Sequence, residues 1–310
     1  MRPARLTRNT PFLSMRNRIL VIGCTGMLGH VVFRCLSGKA NLDVYATTRN
    51  FDGISEYFSS KLVHKIIAGI DAEHIDTIIR ALSFIQPKII INCTGIIKQH
   101  KASSDPSQYI SINAQFPHRL SLLCQLSKAR LIHISTDGVF DGKQGGYTEQ
   151  DEANISDVYA MSKYLGEVND PHCLTIRTSI IGHELKKRTG LVEWLLSQKG
   201  KVKGYTRAIY SGLPTIELAE IIRDYILPND NLSGTYHVSS EPISKYELLH
   251  LIADRYGKKI TIEPLDDVVI NRSLDSSAFQ RLSGYRPPAW PELVNKMYRD
   301  YYSHKGTAYI

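Results

Sequence analysis

The stretch "RILVIGCTGMLGHVVFRCLS", residues 18–37, decides the fold. "RILVIG" (18–23) is a short apolar run rich in β-branched residues, the pattern of a buried strand. "MLGHVVFRCLS" (27–37) carries apolar residues at helical spacing. Between them Gly23, Gly26 and Gly29 form G-x-x-G-x-x-G. Three glycines alone are weak evidence, but a strand-to-helix turn is the context that makes them a dinucleotide site. The first allows the tight turn, the second lets the backbone approach a pyrophosphate, and the third lets the helix pack on the sheet. The turn, with Thr25, Met27 and Leu28, leads into a helix N-terminus that offers free N–H groups and partial positive charge to phosphates.

The alternation continues outward. Strands are expected at 43–48, 61–67, 88–93, 130–135 and 173–179. Helices are expected at 71–85, 109–127 and around 159, the first with Asp71 near its start and Pro87 beyond its end. Strands alternating with helices of this length imply parallel strands and crossovers, hence an α/β, doubly wound Rossmann-type sheet. After about residue 180 the rhythm loosens, with helical patterns at 189–198, 215–226, 244–256 and 290–302 and short strands at 234–239 and 258–264. The reading is a cofactor-binding domain over 17–180 and a smaller α/β substrate lobe over 181–310. Some chain is expected to return to the first sheet near 205–240.

The totals narrow the function classes. The chain has 310 residues, 43% of them hydrophobic and 22% charged, ordinary values for a globular protein. No apolar run approaches the roughly 18 residues that span a bilayer, so no membrane partner is expected. Five cysteines (Cys24, Cys35, Cys93, Cys124, Cys173), with no Cys-x-x-Cys pair, read as small buried hydrophobes in a reducing, cytoplasmic setting, and no metal site is expected. The net charge of +8 owes five arginines to residues 1–18, which hold no acid; without them 33 basic residues face 30 acidic ones. The near-neutral body argues against a nucleic-acid partner. Residues 1–16 read as a disordered basic tail with no catalytic role. An Arg-rich, acid-free tail also suits a transit peptide, and Met15 is an alternative start.

The second expected strand ends "ATTRN". A ribose 2′-OH usually meets an acid there; Thr47, Thr48 and Arg49 stand instead, and arginine suits a 2′-phosphate. The expected cofactor is NADPH, with NADH as the alternative. Asp71 stands where such folds contact adenine, but a helix N-terminal acid needs no ligand. Cys93, Thr94 and Gly95 end the fourth strand beside the cofactor.

A second motif converges on this cleft. "VYAMSKYLGEV" (158–168) sets Tyr159 four residues before Lys163, neighbours on one helix face. "HISTDGVFDG" (133–142) lies at the C-terminal end of the fifth strand, where ligands of such sheets bind. Thr136, Tyr159 and Lys163 together resemble the Ser/Thr–Tyr–Lys set of the extended short-chain dehydrogenase/reductases, from about residue 17 to 300. The resemblance implies that Tyr159 passes the proton, Lys163 binds the nicotinamide ribose and Thr136 polarises the substrate oxygen. It also implies that Asn113 helps hold a water chain. Bringing a tyrosine from about 10 to near 7 takes ~4 kcal/mol, and an ammonium about 4 Å away at an effective dielectric of ~20 supplies ~4 kcal/mol.

Within that superfamily the chain resembles dTDP-4-dehydrorhamnose reductases and related nucleotide-sugar 4-ketoreductases. The resemblance rests on "STDGVFDG", Y-x-x-x-K-x-x-G-E at 159–167, "IRTSIIG" (176–182) and "NRSLD" (271–275). It implies a nucleotide-sugar substrate met by Thr136, Asp137, Gly138, Val139, Ile180 and Arg272, with "YSGLPT" (210–215) lining the same pocket. Sugar 4,6-dehydratases carry Asp-Glu after this threonine; here Asp137 is followed by Gly138, which disfavours dehydration. These reductases usually have tyrosine at 138 and an aromatic at 180. Gly138 and Ile180 make room, suiting a bulkier sugar such as a 2-acetamido-2,6-dideoxyhexulose, or a UDP carrier. Lys98, His100 and Lys101 are placed near the cleft. Two alternatives stand: a sugar-nucleotide epimerase, and a non-catalytic cofactor-binding subunit similar to the methionine adenosyltransferase regulatory subunit. A homodimer is left open.

Overall fold

The computed structural model describes residues 17–97, 105–155, 157–186 and 188–304. The basic tail and the Lys98, His100 and Lys101 positions lie outside them. Seven parallel strands form the central sheet: β1 (Asn17–Ile22), β2 (Leu42–Thr47), β3 (Ile66–Ile67), β4 (Ile89–Asn92), β5 (Arg130–Thr136), β6 (Cys173–Thr178) and β7 (Gly234–His237). Their order is β7-β6-β5-β4-β1-β2-β3. The chain winds outward from β1 in both directions, so the crevice between the ends of β1 and β4 is the topological switch point, the ligand position in such sheets.

Strand alternation builds the two faces. Ile19, Val21, Ile89 and Ile91 belong to one core with α1 (Gly29–Ser37) and the helix Thr215–Ile221, which continues as a π-helix over Ile222–Ile226. Leu20, Ile22 and Ile90 belong to the other, with α2 (Ile75–Ile85) and α3 (Phe116–Ser127). Strands buried on both faces must read as continuous apolar runs, which is why these strands were legible. A third core lies in the C-terminal part of the chain, where helix Lys245–Arg255 packs with Trp290–His304 around Leu249, Ile252, Leu293 and Met297.

Several expectations change in detail. The strand expected at 61–67 is a helical turn, Ser60–Val63, and only Ile66–Ile67 joins the edge of the sheet. Leu62 and Val63 pack on the first core, and a turn of helix buries such an adjacent pair as well as a strand does. The helix expected from 71 starts at Ile75; residues 71–74 form a turn tied by the Thr77 hydroxyl to the Asp71 and His74 carbonyls. The start of 109–127 is a π-helix, Tyr109–Gln115. Of the chain expected to return near 205–240, only β7 joins the central sheet, beside β6. Lys201–Tyr205 pairs instead with Thr261–Leu265 in a separate two-stranded sheet.

Two local constraints fix the cleft. A Cβ on Gly29 would lie 2.1 Å from the Gly23 carbonyl oxygen, so the helix can start this close to β1 only as glycine. The second is a buried ion pair: Arg177 on β6 donates two hydrogen bonds to Glu167, at 2.9 and 2.8 Å. Gly29→Ala is expected to lower unfolding stability by about 1–3 kcal/mol through overpacking. Glu167→Gln, which leaves Arg177 buried without its counter-charge, is expected to cost about 3–5 kcal/mol. Urea titration measures both.

Candidate active site

At the switch point β1 leads into Gly23, whose φ of +89° suits glycine. The turn is pinned to β2, with Cys24 N–H bound to the Thr47 carbonyl at 3.0 Å. Gly26 is exposed, and a Cβ there would meet the Gly23 oxygen only at an ordinary 3.5 Å. Protein packing therefore demands glycine at 23 and 29 but leaves the space over 26 open. Thr94, from the loop after β4, faces this turn: its Oγ1 lies 3.0 Å from where a Gly23 Cβ would stand, and it is buried with no hydrogen-bond partner among the described residues. An open glycine, a helix start and an orphaned hydroxyl fit a dinucleotide pyrophosphate.

The other cofactor candidates divide. Thr25 and Met27 are half-buried on the turn, while the Leu28 side chain enters the core and leaves only its backbone for a ligand. Cys93 is half-buried and Gly95 exposed at the end of β4. Arg49 is exposed just beyond β2. Thr47 and Thr48 are buried, Thr48 Oγ1 donating to the Asn50 carbonyl at 2.9 Å. The Asp71 carboxylate accepts the Glu73 N–H at 3.1 Å, which gives it a local capping role.

The chemistry-bearing trio converges from β5 and helix α4 (Val158–Leu165), which Asp157 caps by accepting the Ala160 N–H. Lys163 is buried and donates to the Ile134 carbonyl at 2.6 Å. Burial pulls its pKa down to about 8, against the fields of Glu167 and Cys93. Thr136 ends β5; its Oγ1 accepts the Gly138 N–H at 3.1 Å and donates to Asp137 at 3.3 Å. Tyr159 corrects an expectation. Burial pushes its phenol up to about 12, and the neighbouring Thr136 hydroxyl only partly opposes this. Desolvation dominates at this depth, so the phenol is not drawn toward 7. The Tyr159 ring also meets Tyr109 edge-on, 6.3 Å between centroids.

Asn113 ties the helix down. Its amide accepts the Ile96 N–H at 2.9 Å and donates to the Ile96 carbonyl at 3.0 Å and to Ser162 Oγ at 3.1 Å. A Cβ on Gly166 would lie 1.9 Å from the Asn113 carbonyl oxygen. Asn113 thus joins the loop after β4 to α4, and all its bonds described here are internal. The glycine and glutamate of Y-x-x-x-K-x-x-G-E are likewise packing devices.

The cleft beside the trio is shaped by the loop after β5. A Cβ on Gly138 would stand 3.3 Å from Thr136 Oγ1 and 3.8 Å from the Tyr159 ring, so any side chain there would project beside the trio. Asp137 is held up at about 6 by burial, with Arg272 and then Lys245 pulling the other way. Arg272 donates Nε–H to the Phe140 carbonyl at 2.9 Å, and Asn271 N–H bonds the Gly142 carbonyl at 2.6 Å, so "NRSLD" closes onto this loop. Ile180 is half-buried on a short strand beside Leu213. Val139 departs from its expected place: its side chain is fully buried in a small core with Phe140, Tyr147 and Leu274. Lys245 was missed, because nothing in "ISKYELL" sets it apart from a surface lysine at a helix start. Away from the cleft, Asp170, His172 and Cys173 bring metal-type donors within 4.8 Å of one another, and Ser121 Oγ is hydrogen-bonded to all three.

Residues 17–303 match the family model for the RmlD substrate binding domain. The dTDP-4-dehydrorhamnose reductase of Aggregatibacter actinomycetemcomitans is 24% identical over 305 residues, 90% of this chain and 98% of that protein. The methionine adenosyltransferase 2 subunit beta of Rattus norvegicus is also 24% identical, over 93% of this chain and 91% of that protein. The crystal structure of dTDP-4-dehydrorhamnose reductase from Bacillus anthracis in complex with NADP shares the fold, with a TM-score of 0.74 and 23% identity, covering 92% of this chain and 100% of that one. With its fold, its glycine turn and its trio in place, the chain belongs to the RmlD substrate-binding-domain family, the dTDP-4-dehydrorhamnose reductase-like group of the extended short-chain dehydrogenases/reductases.

Proposed function

We propose that this protein reduces the 4-keto group of a nucleotide-linked 6-deoxy sugar with NADPH, NADH being the lesser alternative. The observation that carries the reading is the convergence of Thr136, Tyr159 and Lys163 beside the glycine turn at the switch point. NADPH is favoured by Arg49 beyond β2, and by the NADP bound in the Bacillus anthracis relative.

When bound, the dinucleotide would supply hydride to the carbonyl carbon. Lys163, cationic below pH about 8, orients the nicotinamide ribose. Thr136 turns its hydroxyl from Asp137 to the carbonyl oxygen. Tyr159 is the proton donor, and its high pKa suits that direction. A phenol near 12 keeps its proton at neutral pH. The oxygen that gains charge becomes an alkoxide, about as basic as hydroxide (water's pKa is about 15.7), so the transfer runs downhill. Asp137 accepts a sugar hydroxyl. The space at Gly138 and Ile180 suits a 2-acetamido substituent. A second reading, a cofactor-binding subunit without turnover, is favoured by the match along most of the chain to the methionine adenosyltransferase subunit.

Purified protein is expected to oxidise NADPH, followed at 340 nm, with one of a panel of dTDP- and UDP-linked 4-keto-6-deoxy sugars. Tyr159→Phe should lose about 100-fold or more in kcat while binding NADPH normally. Silence across the panel with NADPH still bound supports the regulatory reading. Wild-type rates in Tyr159→Phe would sink the mechanism. In the active protein kcat/KM should fall above pH about 8 as Lys163 loses its proton. Lys163→Arg, if active, should move that limb to higher pH; a wild-type profile flat to pH 10 would contradict the role given to Lys163.

A further inference from the structure

Lys245 is the first residue of helix Lys245–Arg255, behind the capping box of Ser244 and Glu247. A cation there faces the positive end of the helix dipole, so the helix itself gives no reason for it. Its ammonium lies 4.5 Å from the centroid of the Tyr210 ring and makes no hydrogen bond or ion pair with a described residue. Tyr210 is held in place from below: a Cβ on Gly212 would stand 2.2 Å from the Tyr210 hydroxyl oxygen and 2.4 Å from the Ser179 carbonyl oxygen. Burial lowers the pKa of Lys245, and the field of Asp137 is what opposes it. Arg272 faces the same carboxylate and has committed Nε to the Phe140 carbonyl, leaving the two terminal nitrogens of its fork. The fields of two cations thus act on one acid, the residue after Thr136. One carboxylate shared by two cations leaves positive charge over, and a poorly hydrated ammonium offset only by a ring face and that shared acid is costly to keep without an anionic ligand.

We propose that Lys245 is a substrate-binding residue which, with Arg272, holds the diphosphate of the nucleotide sugar. The inference rests on the nucleotide-sugar reading above, in which the diphosphate is the anionic part of the substrate. The arginine fork takes two phosphate oxygens and the ammonium acts as a point charge on a third. Asp137 offsets one of the two cations and eases their mutual repulsion before the ligand arrives.

The test compares wild type, Lys245→Gln and Lys245→Arg, titrated with dTDP, UDP and NADPH. Lys245→Gln should weaken the nucleoside diphosphate by about tenfold or more, keep NADPH affinity, and melt no lower than wild type. Lys245→Arg should keep most of the affinity. Equal dTDP and UDP affinity in wild type and Lys245→Gln overturns the inference, while turnover of a 4-keto sugar by wild type leaves the function standing. A Lys245→Gln protein that melts lower and loses NADPH as well makes the role structural and also overturns it. Wild type that binds NADPH but neither nucleoside diphosphate, and turns over no sugar, overturns both.

Discussion

A buried carboxylate holds the candidate active site together. Glu167, just beyond α4, accepts both Arg177 bonds from β6 and the Ser135 hydroxyl from β5 at 2.7 Å. Three donors from two strands fix where the helix ends. Lys163 lies one turn earlier, and so its ammonium meets the Ile134 carbonyl and not solvent. The cost of burying Glu167 is offset because its charge is paired and its oxygens are bonded. On the other side of α4, Gly166 lets the Asn113 carbonyl approach where any Cβ would collide. The position of the trio follows from these contacts rather than from attraction among its members.

Burial then sets the chemistry. Desolvation raises Tyr159 and Asp137 and lowers Lys163. Each shift favours the neutral form, as a poorly hydrated cleft must. The Tyr159 phenol therefore stays protonated at neutral pH. For Lys163 it brings the ammonium near the edge of the physiological range. The C-terminal part of the chain contributes opposite charge at the same place, through Arg272 and Lys245.

The loop after β5 shows how packing and pocket are separated within a few residues. Phe140 and Tyr147 stack at 4.3 Å, and the Tyr147 N–H bonds the Ser273 carbonyl, closing a small core that also buries Val139. Gly138, one residue earlier, stays beside Thr136 and Tyr159. Neighbouring residues of one motif therefore serve different purposes, and only the backbone path decides which is which.

Much was legible in the sequence because two rules are local. A strand buried on both faces must be apolar throughout, so β1, β4, β5 and β6 announced themselves. A tight strand-to-helix turn needs glycine, so Gly23 and Gly29 did too. The spacing of Tyr159 and Lys163 is set by one helical turn. What tertiary structure alone decided depends on distant partners. The edge segment at 61–67 divides into a helical segment, a turn and a two-residue strand, because Leu62 and Val63 pack on the first core while only Ile66–Ile67 pairs with β2. Asp71 caps its own turn, Val139 turns inward, and Tyr159 rises in pKa because burial is a property of the whole cleft. Lys245 reaches that cleft across more than 100 residues of chain from Asp137, and no pattern in its own segment encodes that distance.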